Sequence, residues 1–100
     1  MKRFSLQERN TAQRLQGQVT PQSGAGWVRK NDVRTLTESV ECKTTSSDGY
    51  RLTWKTLKKA SDTALLDGRR MVFEIEFQGH GRYVVLNADD YEELRDKDVA

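Results

Sequence analysis

Asn31-Asp32-Val33-Arg34-Thr35, followed by Glu38-Ser39-Val40-Glu41-Cys42-Lys43-Thr44-Thr45, is the stretch whose reading decides the fold. Residues 32–35 and 38–45 read as two strands of a hairpin. Side chains alternate across a strand, so Val40 and Cys42 fall on one face and Glu41 and Lys43 on the other. A carboxylate and an ammonium then project side by side, and Asp32, at the start of the neighbouring strand, brings a second carboxylate. Hard divalent cations such as Mg²⁺ or Mn²⁺ take oxygen ligands of this kind. Alone, a Glu-x-Lys is an ordinary ion pair of an exposed strand face. Its weight comes from what surrounds it.

Working outward, Ser5-Leu6-Gln7-Glu8 has the capping-box form and predicts a short helix to about Gln16, ended by Gly17. Gln18-Val19-Thr20 starts a strand, and Pro21 to Gly26 is loop by composition. After Ser46-Ser47-Asp48-Gly49, Thr53 caps a helix in which Trp54, Leu57, Ala60, Ala64 and Leu65 keep helical spacing up to Asp67-Gly68. Met71 to Phe77 alternates as a strand with Phe73, Ile75 and Phe77 on one face, Gln78-Gly79-His80-Gly81 turns, and Arg82 to Leu86 returns. A last short helix opens near Ala88-Asp89-Asp90, with Tyr91 and Leu94 available to dock, and frays from about residue 95 to Ala100. The expected order is α-β-β-β-α-β-β-α, with no internal repeat and no linker that would divide the chain.

The 100 residues fit one domain with an adequate core, and about a third of them are apolar and a third charged, as in globular chains. The net charge of +2 hides an uneven distribution. Residues 1–36 carry seven basic side chains (Lys2, Arg3, Arg9, Arg14, Arg29, Lys30, Arg34) against Glu8 and Asp32, whereas residues 87–100 carry six acids against Arg95 and Lys97. A basic amino-terminal part around a few acids suits a polyanion whose phosphates are drawn to a metal. The lone Cys42 excludes an internal disulfide and a cysteine zinc site, and fits a reducing, cytoplasmic location. It reads as a small core residue, with a reactive thiol as the alternative. No apolar run spans a membrane and no signal-peptide core follows Met1, so the chain reads as complete, intracellular and soluble.

With Glu8-Arg9 on the first helix, Ser23-Gly24 in a Gly-rich loop, Asp32 on one strand and Glu41-Cys42-Lys43 with Thr44-Thr45 on the next, the chain resembles the PD-(D/E)XK nucleases. Within them it is most similar to the Holliday junction resolvases of archaeal type and their phage relatives. The resemblance covers about Phe4 to Leu86, and its specificity lies in the order and spacing of short motifs. Asn31 stands where the motif's name has proline, and the Asp32 to Glu41 interval is short, implying a tight hairpin. The resemblance implies an α/β, restriction-endonuclease-like core: one nuclease domain over residues 1–100 with a central mixed sheet flanked by helices.

For the site, the resemblance implies that Asp32 and Glu41 hold Mg²⁺ through carboxylate oxygens, with Mn²⁺ able to substitute and the Cys42 carbonyl as a further ligand. Lys43 stands beside the attacking water or the phosphate charge. Glu8 reaches the metal directly or through water; its alternative is the capping box. For Asp32 the alternative is a turn or cap at the strand entrance. Arg9, Ser23, Gly24, Trp27, Arg29, Lys30 and Arg34 are the DNA-contacting candidates. Trp27 either stacks on an unpaired base or caps the core, and Arg9 is otherwise a solvated helix charge. Trp54, Leu57 and Ala64 read as core, with part of their helix as a dimer face, because resolvases of this family act as two-fold dimers. His80 reads as a surface histidine. The implied function is Mg²⁺-dependent hydrolysis of branched DNA by a homodimer, in a bacterial host cytoplasm if phage-encoded. The rivals are a nicking or restriction-like nuclease and a non-catalytic DNA-binding module.

Overall fold

A computed structural model describes residues 3–20 and 31–99. The chain runs α1 (Arg3–Leu15), β1 (Gln18–Val19), β2 (Val33–Arg34), β3 (Glu38–Thr45), α2 (Trp54–Leu66), β4 (Arg70–Phe77), β5 (Gly81–Val85) and α3 (Ala88–Val99), in the order expected from the sequence. The strands form one mixed sheet in the spatial order β1-β2-β3-β4-β5. Only the β3–β4 pair is parallel, because α2 carries the chain back across the sheet between them; the other neighbours are antiparallel. Alternation along β3 and β4 then divides the core in two. Val40, Cys42 and Val72 pack with Val33 and with Ala12 of α1. Met71, Phe73 and Ile75 pack with Ala60 and Ala64 of α2. The sheet is therefore covered by α1 on one face and α2 on the other, the layering of an α/β fold.

α2 forms where the sequence places it, with Thr53 as its N-cap accepting from the Thr56 N–H at 3.2 Å. Ala60 and Ala64 are its buried positions, with Leu57 partly buried beside them. Trp54 is a correction: it is 74 % exposed, because it stands on the first turn at the helix's outer side rather than over the sheet. Leu65 and Leu66 are likewise exposed.

α1 begins at Arg3, so Ser5 lies inside its first turn and cannot cap it. The capping-box account of Glu8 falls with that. At the far end Gln16, not Gly17, takes the left-handed conformation (φ 57°), and the Gly17 N–H closes the helix on Ala12 O at 2.8 Å. Gly17 is needed for another reason: a Cβ there would lie 2.6 Å from the carbonyl oxygen of Arg34, where β1 enters beside β2. α3 is also longer than expected and runs unbroken to Val99 instead of fraying from residue 95. Asp89 and Asp90 suit the positive end of its dipole. Glu93 and Lys97 pair one turn apart at 3.3 Å, and Arg70 at the start of β4 reaches Glu93 at 3.2 Å. Tyr91 is 56 % exposed and Leu94 37 %, so ion pairs with Arg70 rather than apolar docking tie this helix to the sheet. Among the described residues no helix is long and apolar enough to cross a membrane.

Candidate active site

β2 is only two residues long, and this brevity places the first carboxylate. Val33 pairs with Val40; the same antiparallel register continued by one residue sets Asp32 opposite Glu41. Past the end of β2, the Cys42 N–H has no strand partner on that side and donates to Asp32 Oδ2 at 2.9 Å. A strand residue's N–H and C=O leave on the same side, so the Cys42 carbonyl opens toward Asp32 as well. On β3, Lys43 Nζ lies 3.3 Å from Glu41 Oε1, as the alternation predicts.

The third carboxylate comes from α1. Glu8 is only 5 % exposed, and its pKa is raised to about 7, first by burial and then by the negative charges of Asp32 and Glu41. Residues from a helix, a strand entrance and a strand interior thus lie near enough to feel one another's charge. Among the described residues no three His, Cys, Asp or Glu side chains close into a ligand cluster by themselves. The oxygen donors that could hold a hard divalent cation here are the carboxylates of Asp32, Glu41 and Glu8 with the Cys42 carbonyl. The raised pKa of Glu8, set first by burial and then by the charges of Asp32 and Glu41, favours a cation here, since a positive charge beside these groups would offset both.

The remaining sequence candidates divide. Arg9 is exposed beside Glu8. Arg34 is held by Asp67 (Nε to Oδ2, 2.8 Å), so it reaches a phosphate only by giving up that pair. Ser23, Gly24, Trp27, Arg29 and Lys30 lie outside the described residues. The Cys42 thiol is buried on the α1 side and its pKa is pushed far up, by burial first and then by Glu74 and Asp32, so it is a core residue and not a reactive nucleophile.

Sequence reasoning missed two supports of the site. Asn31 is 3 % exposed and donates from Nδ2 to the Ala60 carbonyl at 3.1 Å, tying the middle of α2 to the residue before Asp32. Glu74, on the face of β4 opposite Phe73, is buried beneath α1. Burial opposes its charge, but hydrogen bonds from the Thr11 hydroxyl, from Arg14 at 2.9 Å and from Gln7 at 3.2 Å outweigh that and hold its pKa below the ordinary value. The same Gln7 Nε2 lies 2.9 Å from Lys43 O, so this network fixes α1, and with it Glu8, against the strand bearing Lys43. Glu74 and Glu76, set among the apolar residues of Met71 to Phe77, were the visible signal.

These elements define an α/β fold with a helix on each face of a mixed sheet and an acidic cluster with a lysine on its central strands. The particular neighbour is Hjc, a Holliday junction resolvase from the archaeal hyperthermophile Archaeoglobus fulgidus, whose solved structure matches this one with a TM-score of 0.63 over 84 % of this chain and 74 % of that one. The fold is that of this nuclease. Sequence identity is 11 %, so the likeness is one of architecture. No family model and no curated protein sequence matches the chain.

Proposed function

We propose that the protein is a metal-dependent, structure-selective DNA endonuclease of PD-(D/E)XK type that hydrolyses phosphodiester bonds in branched DNA, as a Holliday junction resolvase acting as a homodimer. The observation that carries this reading is the convergence of Glu8, Asp32 and Glu41 with Lys43 at 3.3 Å from Glu41, on a fold shared with an archaeal resolvase. A protein that merely binds DNA gains nothing from three acids facing phosphates. Asp32 and Glu41 would hold Mg²⁺ or Mn²⁺ with the Cys42 carbonyl, and Glu8 would complete the site directly or through water. When bound, the cation supplies Lewis-acid charge and makes water more acidic.

The chain's own groups do the rest. The Cys42 N–H fixes the Asp32 carboxylate, and the Glu41 carboxylate orients the Lys43 ammonium. That ammonium stabilises negative charge as water adds to phosphorus and the bond to the 3′ oxygen breaks, leaving a 5′-phosphate. Arg9 contacts a nearby phosphate, and Ser23, Gly24, Trp27, Arg29, Lys30 and Arg34 complete the DNA surface. The test is incubation of purified protein with matched four-way junction, duplex and single-stranded DNA, with Mg²⁺, Mn²⁺ or EDTA. Cation-dependent cutting restricted to the junction is expected. Cutting of all three substrates alike points to a nicking nuclease, and binding without cutting points to a non-catalytic module.

A further inference from the structure

α2 lies close on the sheet because its contact positions are small: Ala60 and Ala64 are 4 % and 1 % exposed. Beside them, Thr56, Lys59 and Thr63 of α2 face Glu41 and Lys43 of β3 across a cavity of about 190 Å³ floored by Phe73. The hydroxyls on this wall are engaged within the helix: Thr63 Oγ1 donates to Lys59 O at 2.9 Å, and Thr56 Oγ1 shares a hydrogen bond with Thr53 Oγ1 at 3.0 Å. The lysines of α2 differ in the same way. Lys58 is bound to Asp62 at 2.6 Å, whereas Lys59, among the described residues, makes neither an ion pair nor a side-chain hydrogen bond. Among the described residues it is the one uncommitted side-chain donor on the α2 side of the cleft that holds Glu41 and Lys43. Glu41 and Lys43 pair with each other, so Lys59 is the further positive charge among the residues lining the cleft.

An ammonium with three unspent donors at the rim of a polar cleft draws phosphodiester oxygens as a point charge. We propose that Lys59 binds a backbone phosphate next to the one being cut, gripping the strand from the α2 side while α1 presents Arg9 from the other. This rests on the nuclease reading of Glu8, Asp32, Glu41 and Lys43, and it adds a substrate contact that the motifs do not contain.

The experiment compares wild type, Lys59→Ala, Lys59→Gln and Lys55→Ala. Lys55 is exposed on the same helix and lies outside the cavity, so its loss controls for a general change of charge. Binding to a four-way junction is measured in EDTA across a salt series, and cleavage is measured with Mg²⁺. For both Lys59 variants the log–log salt slope should fall by about one, the signature of a single lost phosphate contact. kcat/KM should drop about tenfold, as for one charge-assisted hydrogen bond, with most of the change in KM. Lys55→Ala should leave both within about twofold of wild type, the range of a surface charge change. Junctions carrying a neutral methylphosphonate at successive positions around the cut then locate the contact: at one of them, wild type and Lys59→Ala should bind equally. The proposal is overturned if Lys59→Ala behaves as Lys55→Ala does, or if no methylphosphonate position removes the difference. A wild type that binds junctions but never cuts them sinks the nuclease reading alone, since the binding arms still decide whether Lys59 touches a phosphate. A wild type that neither binds nor cuts sinks both.

Discussion

Glu8 carries the clearest consequence at the scale of single residues. Its carboxyl ionises near 4.5 in an unfolded chain and near 7 in the fold. Between those values the folded state holds the extra proton, so the stability this group contributes is fully present below pH 4.5 and is lost as pH rises through 7. Without divalent cation, wild type minus Glu8→Gln should therefore lose about 1–3 kcal/mol of stability between acid and pH 8, taking a pKa unit as about 1.4 kcal/mol. Thermal melts of both proteins over that range measure it, and a flat difference would show that neither burial nor the charges of Asp32 and Glu41 raise the Glu8 pKa. A cation among the three acids should reverse the sign, so added Mg²⁺ should raise Tm most at pH 8.

On the opposite wall, Glu41→Ala and Lys43→Ala should each reduce cleavage at least a hundredfold, the scale of a lost charge-stabilising group. Both should stay folded with near wild-type junction binding, and Glu41→Ala should bind slightly tighter for want of a negative charge. Near-normal cutting by folded Glu41→Ala would remove that residue from the chemistry. That Glu41 and Lys43 project side by side was legible in the sequence, because strand alternation is strict and local. Glu8 was legible only by position, and its local pattern suggested a cap that the fold does not use. Asn31 was not legible at all, because its partner, Ala60, is 29 residues away and is a main-chain carbonyl.

Elements rather than residues decide where these groups meet. The order of elements along the chain and α2 follow from local periodicity, whereas the spatial strand order and the parallel β3–β4 pair, which the crossover helix permits, are seen only in the fold. Periodicity failed where burial is polar. Among the described residues, the buried side chains of α1 are Gln7, Glu8 and Thr11 with Ala12 alone apolar, a pattern that hydrophobic spacing does not reveal. It failed again at Trp54, which satisfies the spacing of α2 but stands on its outer side. The tie between Asn31 and Ala60 is the joint between two of these elements. Asn31→Ala should cost about 1–2 kcal/mol, the loss of one buried hydrogen bond, and should slow cleavage without weakening junction binding, because Asp32 follows directly. Asn31→Asp should cost more, since it sets a carboxylate against the Ala60 carbonyl. Chemical denaturation and single-turnover cleavage separate the two effects; unchanged stability in both variants would mean the joint does not hold α2.

At the scale of the whole molecule, the proposed reaction asks for more than one chain supplies. Resolving a four-way junction takes paired cuts on two strands, and this chain carries a single set of Asp32, Glu41 and Lys43. Apolar side chains are available for a second copy: Trp54, Leu65 and Leu66 on α2 and Tyr83 and Val84 on the edge strand β5 all stand more than half exposed. A two-fold pair built on such a patch presents two sites of opposite orientation to a junction that itself has two-fold symmetry. Sedimentation should therefore show a dimer at micromolar concentration. When wild type is mixed in excess with Glu41→Ala, heterodimers should nick one strand of a junction and seldom complete the second cut, so that nicked junctions accumulate in proportion to the mutant fraction. Full resolution at a rate falling only in proportion to the remaining wild type would mean that each chain works alone. A protein that stays monomeric both free and on DNA would replace resolution with simple nicking as the function of this fold.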